Sequence, residues 1–145
     1  MKIHPPALSY RPARPADFAN FWKATLIAQR ELPLQARLTR RDYLIAQIEV
    51  YDVRFKGFGG AELAGIYLLP KQRSKRLPVV LQSHGYTWHK GEPLNHLHWI
   101  MLGMAVLAVD VRGQAGDSAD NQGYPGGHAA GYMTQGILDP AAYYY

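Results

Sequence analysis

At 145 residues, 48% apolar and 19% charged, the chain has the composition of a globular domain and not of a disordered segment. It holds no cysteine, which excludes disulfides, a cysteine nucleophile and thiolate metal sites. The net charge of +5 is scattered and accompanies no RNA- or DNA-binding motif, so no nucleic-acid partner is expected.

The first six residues carry one charge and no apolar core, so a signal peptide is not expected. No apolar run approaches the length of a membrane span. With the lack of cysteine, this gives the expectation of a reducing, cytoplasmic setting away from membranes. Residues 1–14 hold three prolines and no periodicity, and read as an extended arm.

A helix is expected from Pro15, a suitable first position, with Asp17 in the first turn and an end near Leu32-Pro33. Phe18, Phe21, Trp22, Thr25 and Leu26 form one apolar stripe, read as core packing. From Ile45 the period changes to that of a strand. Ile48, Val50, Val53 and Phe55 lie in an alternating run, Gly57 to Gly60 signals a turn, and Ala61 to Leu69 reads as a second strand closed by Pro70. Together they predict an antiparallel hairpin. The only dense basic group, Lys71, Arg73, Lys75 and Arg76, reads as a solvated connecting loop.

Leu77 to Ser83 is a short apolar run that breaks at His84-Gly85, as a strand buried on both faces of a parallel sheet does. A helix is expected from Pro93, with Leu94, Leu97, Ile100 and Met101 toward the sheet and Gly103 as its cap. Met104 to Val111 reads as the next strand. Strand, helix and strand make a βαβ unit, so the fold class is α/β with a hairpin at its start. No internal domain boundary is expected. Residues 113–136 hold seven glycines in a long loop, and Asp139-Pro140 reads as a helix start close to the end of the chain.

Two triplets sit at the ends of the successive strands: His84-Gly85-Tyr86 and Arg112-Gly113-Gln114. With Asp17-Phe18 to Phe21-Trp22-Lys23, Val50-Tyr51-Asp52-Val53, Phe58-Gly59-Gly60, Asp110-Val111 directly ahead of Arg112, Gly136 to Pro140 and Tyr143-Tyr144-Tyr145, they give a resemblance over nearly the whole chain. The chain resembles the acetyl xylan esterase / cephalosporin C deacetylase family, α/β-hydrolases among the carbohydrate esterases. Family members are considerably longer, so the resemblance implies the N-terminal part of an α/β-hydrolase fold with a mostly parallel sheet. It also implies a serine carboxylesterase acting on acetylated sugars, xylo-oligosaccharides or cephalosporin-like esters, without a cofactor, and assembled as a homohexamer.

Such chemistry needs a serine nucleophile, a histidine base oriented by a carboxylate, and an oxyanion hole. By resemblance, the Tyr86 N–H is one oxyanion donor and Gly85 lies beside it. His84, Arg112, Gly113 and Gln114 support the site, Arg112 as a brace and not as a catalyst. None of the four serines, Ser9, Ser74, Ser83 and Ser118, lies in G-x-S-x-G, so a complete catalytic set is not expected within this chain. Gly116-Asp117-Ser118 resembles the G-D-S of another esterase class but lies in a glycine-rich loop. His89, His96, His98 and His128 match no metal-ligand spacing, and a metal site is not expected. The competing interpretation is a non-catalytic interaction module that keeps half of a hydrolase fold.

Overall fold

The computed structural model describes residues 14–73 and 76–119. The N-terminal arm up to residue 13, Ser74, Lys75, the later part of the glycine-rich loop, His128 and the helix start at Asp139 lie outside them. Met1–Glu31 and Leu32–Tyr145 form two compact units.

In the first unit, α1 spans Phe18–Glu31. It starts three residues later than Pro15, because Pro15 to Asp17 form a turn whose carbonyls accept the first amides: Phe18 N–H to Pro15 and Phe21 N–H to Asp17. It ends before Leu32-Pro33, as the restriction ahead of proline requires. The stripe expected to be core is not buried; no residue of α1 is. The aromatic groups instead meet within the helix, Phe18 with Trp22 at 6.3 Å and Phe21 with Trp22 at 5.4 Å.

The second unit is built on one five-stranded sheet. Its strands are β1 (Arg37–Arg41), β2 (Ile48–Lys56), β3 (Glu62–Pro70), β4 (Val79–Ser83) and β5 (Ala105–Val109). Their spatial order is β1-β2-β3-β5-β4. The hairpin of β2 and β3 closes through a 3₁₀ turn, Phe58–Gly60, with Gly57 N–H donating to Ala61 O. Gly59 and Gly60 take φ of +67° and +79°, which glycine accepts without steric cost. The β2 register runs unbroken from Ile48 opposite Pro70 to Lys56 opposite Glu62.

β5 joins this hairpin antiparallel, Gly65 opposite Val109, and β4 joins β5 parallel, Val79 opposite Ala105. Gly65 is required by this approach: a Cβ there would meet the Ala108 carbonyl oxygen at 2.9 Å. The helix, hairpin and βαβ order is thus present, but among the described strands the sheet is mostly antiparallel and not mostly parallel as expected: β4 with β5 is the parallel pair, and the other three pairings are antiparallel. β1 has no sequence signal. Its run Arg-Leu-Thr-Arg-Arg is mostly exposed, as on a charged sheet edge.

The core consists of Ile48, Val50, Ile66, Leu68, Val106 and Ala108, with Val80, Leu97, Trp99 and Ile100 packed against it. Each fully buried branched side chain contributes roughly 1.5–3 kcal/mol of transfer free energy. The crossover between β4 and β5 begins with a 3₁₀ segment, Pro93–His96, and continues as α2, Leu97–Met101. Leu97 and Ile100 face the core as expected, whereas Leu94 in the 3₁₀ segment and Met101 at the last position of α2 are exposed.

The expectation that β4 is buried on both faces does not hold. Val79 is 55% and Leu81 70% exposed, and β5 is the only neighbour of β4 among the described residues. The opposite face is the packed one: Val80 meets the core, and the Trp99 Nε1–H donates to the Gln82 side chain at 3.2 Å.

Candidate functional site

β4 and β5 are parallel, so their carboxyl ends lie side by side, the usual ligand position of an open α/β sheet. His84 follows one end and Asp110 the other. The His84 ring joins them. Val111 N–H donates to Nε2 at 2.9 Å, so that nitrogen carries no proton. Nδ1 lies 2.8 Å from the Gly85 carbonyl, to which it must therefore donate. Both ring nitrogens are thus engaged by backbone groups, and the ring holds the start of the turn to the end of β5.

Gly85, Tyr86, Thr87 and Trp88 then turn back, closed by Trp88 N–H to the Gly85 carbonyl at 3.2 Å. Thr87, third in the turn, has φ +61°, the left-handed conformation that the third position of a type II turn requires. A β-branched residue adopts it only when its surroundings impose it. Here the Gln114 side-chain oxygen accepts the Thr87 N–H at 2.5 Å, and Gln114 is 6% exposed. Gly113, with φ +71°, turns the chain so that Gln114 reaches back. The Arg112 guanidinium donates to the Phe58 carbonyl at 3.2 Å, bracing the strand end against the hairpin turn.

The six residues singled out from the sequence are therefore brought together. His84 and Gln114 fasten the turn to the end of β5, Arg112 anchors that end, and Gly85 and Tyr86 sit at the turn itself. Tyr86 is 49% exposed. A cavity of about 390 Å³ opens beside the turn, with Ser83, His84, Gly85 and Trp88 in its wall.

The charged anchor of this loop was not singled out from the sequence, where Asp110 stands only as the first residue of the run through Arg112-Gly113-Gln114. Lys90 and Asp110 form an ion pair at 2.8 Å, with side chains 10% and 1% exposed. Lys90 also reaches Asp117 at 2.6 Å. Burial pushes the Asp110 carboxyl up. Hydrogen bonds from the Lys90 ammonium and from the Asp117 and Lys90 N–H groups outweigh it and hold the carboxyl below its ordinary range. Burial likewise works to lower the Lys90 ammonium, but Asp110 and Asp117 together hold it above the ordinary lysine value. The signal available was a lone carboxylate closing an apolar strand, Val109-Asp110-Val111. Nearby, Arg41 donates to Asp52 and Glu92, fixing the residue ahead of Pro93 to the far side of the sheet.

Other sequence candidates are structural. Ser118 accepts the Ala64 N–H at 2.9 Å and donates to the Asp110 carbonyl at 2.7 Å, so the serine of Gly116-Asp117-Ser118 is a buried fastening while Gly116 and Asp117 are exposed. His96 is 2% exposed against the Lys90 carbonyl, whereas His98 is exposed, so the two do not converge. Among the described residues, no group of three or more His, Asp or Glu is placed to hold a metal ion. No helix among them is long and apolar enough to cross a membrane.

Comparison with known proteins bears on the same features. The family described as Acetyl xylan esterase (AXE1) matches residues 7–145. An acetyl xylan esterase from Paenibacillus sp. R4 superposes with a TM-score of 0.82 at 41% identity, over 94% of this chain and 45% of that one. Acetyl Xylan Esterase 1 from Thermoanaerobacterium sp. JW/SL YS485 gives a TM-score of 0.76 at 32% identity, over 87% of this chain and 39% of that one. The chain thus spans less than half the length of either relative.

Proposed function

For a chain that belongs to the acetyl xylan esterase family, we infer that the turn after β4 provides the oxyanion side of an ester-hydrolysing site. The substrate class is acetyl esters of sugars such as xylo-oligosaccharides, or comparably small acetyl esters. The observation that carries this is the Gly85–Trp88 turn, pinned by His84 and Gln114 to the end of β5. A backbone N–H held that firmly can meet a developing oxyanion without reorganising, which is where most of the rate advantage of such sites arises. In this mechanism the Tyr86 N–H donates to the acyl oxygen as the carbonyl becomes tetrahedral. The serine, its base and the second donor belong to the same reaction class.

The test is acetate release from acetylated xylo-oligosaccharides and from p-nitrophenyl acetate. The chain contains no G-x-S-x-G. Alone, it is expected to give no more turnover than the heat-denatured chain. Extended in frame by the part of the Paenibacillus relative that it does not cover, it is expected to release acetate. In that extended protein Tyr86→Pro, which removes the amide donor, should lower kcat by roughly 10²–10³, while Tyr86→Ala keeps the donor. A folded extended protein without acetyl-ester hydrolysis would overturn this function and favour a non-catalytic interaction module.

A further inference from the structure

Lys90 is held at every polar group it has. Its N–H donates to Asp110 Oδ1 at 2.5 Å, its ammonium to Asp110 Oδ2 at 2.8 Å and Asp117 Oδ2 at 2.6 Å, and its carbonyl accepts from His96 Nε2 at 2.7 Å. Asp110 is fixed just as fully. Its carboxylate also accepts the Asp117 N–H at 2.8 Å, its N–H donates to the Ala64 carbonyl, and its own carbonyl takes the Ser118 hydroxyl.

A pair buried this deeply contributes little to stability by itself, because the desolvation of two charges offsets most of their attraction. It does fix direction, which an apolar pair does not. The direction matters because of where the pair lies. The segment after β4 is fastened to the segment after β5 at three evenly spaced residues: His84 to Val111, Thr87 to Gln114, and Lys90 to Asp110. The first two are single hydrogen bonds flanking Tyr86. The third is charged, nearly sealed from water, and lies on the side of the turn that faces the crossover.

We propose that Lys90 and Asp110 are positioning residues for the Tyr86 turn: the pair clamps 84–90 against 110–117 and so fixes the orientation of the turn's amides. The catalytic meaning of this clamp rests on the oxyanion function above. The mechanical clamp stands independently of it. Neither residue touches the reacting atoms. Without the ammonium, the loop keeps its bonds at His84 and Thr87 and the Lys90 backbone bonds to Asp110 and His96, but it loses both charged bonds, and its Lys90 end loosens beside the left-handed Thr87.

The test is amide hydrogen exchange on the full 145-residue chain. Lys90→Met keeps the unbranched stem and removes the charge, and Lys90→Arg keeps the charge and can reach both carboxylates. Lys90→Met should speed exchange at Thr87 and Trp88 by about tenfold or more, with Ile66 and Leu68 within about twofold of the parent. Lys90→Arg should restore most of the protection at the turn. Unchanged exchange at Thr87 and Trp88 in Lys90→Met, or a rise shared equally by β3, would overturn the clamp. Should Lys90→Met not fold, Asp117→Asn removes one of the two carboxylates at an exposed position. A smaller rise confined to Thr87 and Trp88 is then expected, and no rise overturns the proposal. Acetate release by the extended protein is a separate readout, so a failure of the esterase function does not alter the exchange result.

Discussion

His84 and Val111 lie at the ends of neighbouring parallel strands, and the imidazole of one caps the amide of the other at 2.9 Å. The bond does two things. It satisfies a backbone donor at a strand end where the ladder has stopped, and it selects the tautomer of the ring, because Nε2 is the accepting nitrogen.

His84→Ala leaves the Val111 amide without this acceptor. The expected cost is about 1–2 kcal/mol of stability, since an amide stripped of its partner in a half-buried place forfeits more than one average hydrogen bond. It is read as a lower urea midpoint at constant m-value. An unchanged midpoint would show that solvent replaces the ring without loss.

Two glycines separate strain from collision. Gly116, φ +142°, lies against Asp110, and a Cβ there would sit 2.5 Å from the carboxylate carbon. Gly103, φ +76°, has nothing within 4 Å of its Cβ position. Gly103→Ala should cost about 1 kcal/mol of backbone strain alone. Gly116→Ala should cost roughly 2–4 kcal/mol, because the buried carboxylate cannot retreat without breaking its hydrogen bonds to Lys90 and Asp117. Equal costs in thermal or urea unfolding would mean that Asp110 moves freely.

The buried pair also sets the pH response. The folded state holds the Asp110 carboxyl below its ordinary range. Its contribution is therefore fully present above the unfolded carboxylate value and is lost as pH falls through the lower, folded one. Lys90 is held above its ordinary value. Its contribution is present below the unfolded lysine value and is lost as pH rises through the higher, folded one. Asp110→Asn should remove the part of the acid limb owed to this group. At neutral pH it should cost about 1–3 kcal/mol, because the Lys90 ammonium loses one of its two carboxylate partners and keeps Asp117. Urea titrations across the acid range check both. A variant as pH-sensitive as the parent would assign the limb to other carboxylates.

Much of the fold was legible because its signals are local and periodic. The hairpin announces itself by alternation and four residues rich in glycine, and β5 by an unbroken apolar run. The helix-facing residues of the crossover were half legible. Leu97 and Ile100 follow the expected spacing, but the chain enters the crossover through a 3₁₀ segment capped by Glu92 and Asn95, and Leu94 there and Met101 at the last position of α2 stay exposed. β1 could not be seen, because an edge strand of arginines carries solubility and not burial in its sequence.

In the candidate site, His84, Gly85, Tyr86, Arg112, Gly113 and Gln114 came from the resemblance and the strand ends. Asp110 entered only as the residue opening the run to Gln114, with no role, and Lys90 not at all. A buried ion pair between residues 20 positions apart leaves no spacing rule, since its geometry exists only once two strands have paired. The exposure of β4 was hidden for the same reason. Its composition is that of a covered strand, and only the sheet order reveals which of its faces is covered.

That order has a kinetic consequence. β2 and β3 are joined by a tight turn and can pair at once, but β5 must cross a long loop to reach β3, and β4 has no partner among the described strands until β5 has arrived. The turn at Tyr86 is thus expected to form after the β2–β3 hairpin in refolding, and a substitution that slows the docking of β5 is expected to delay the site without altering its final geometry.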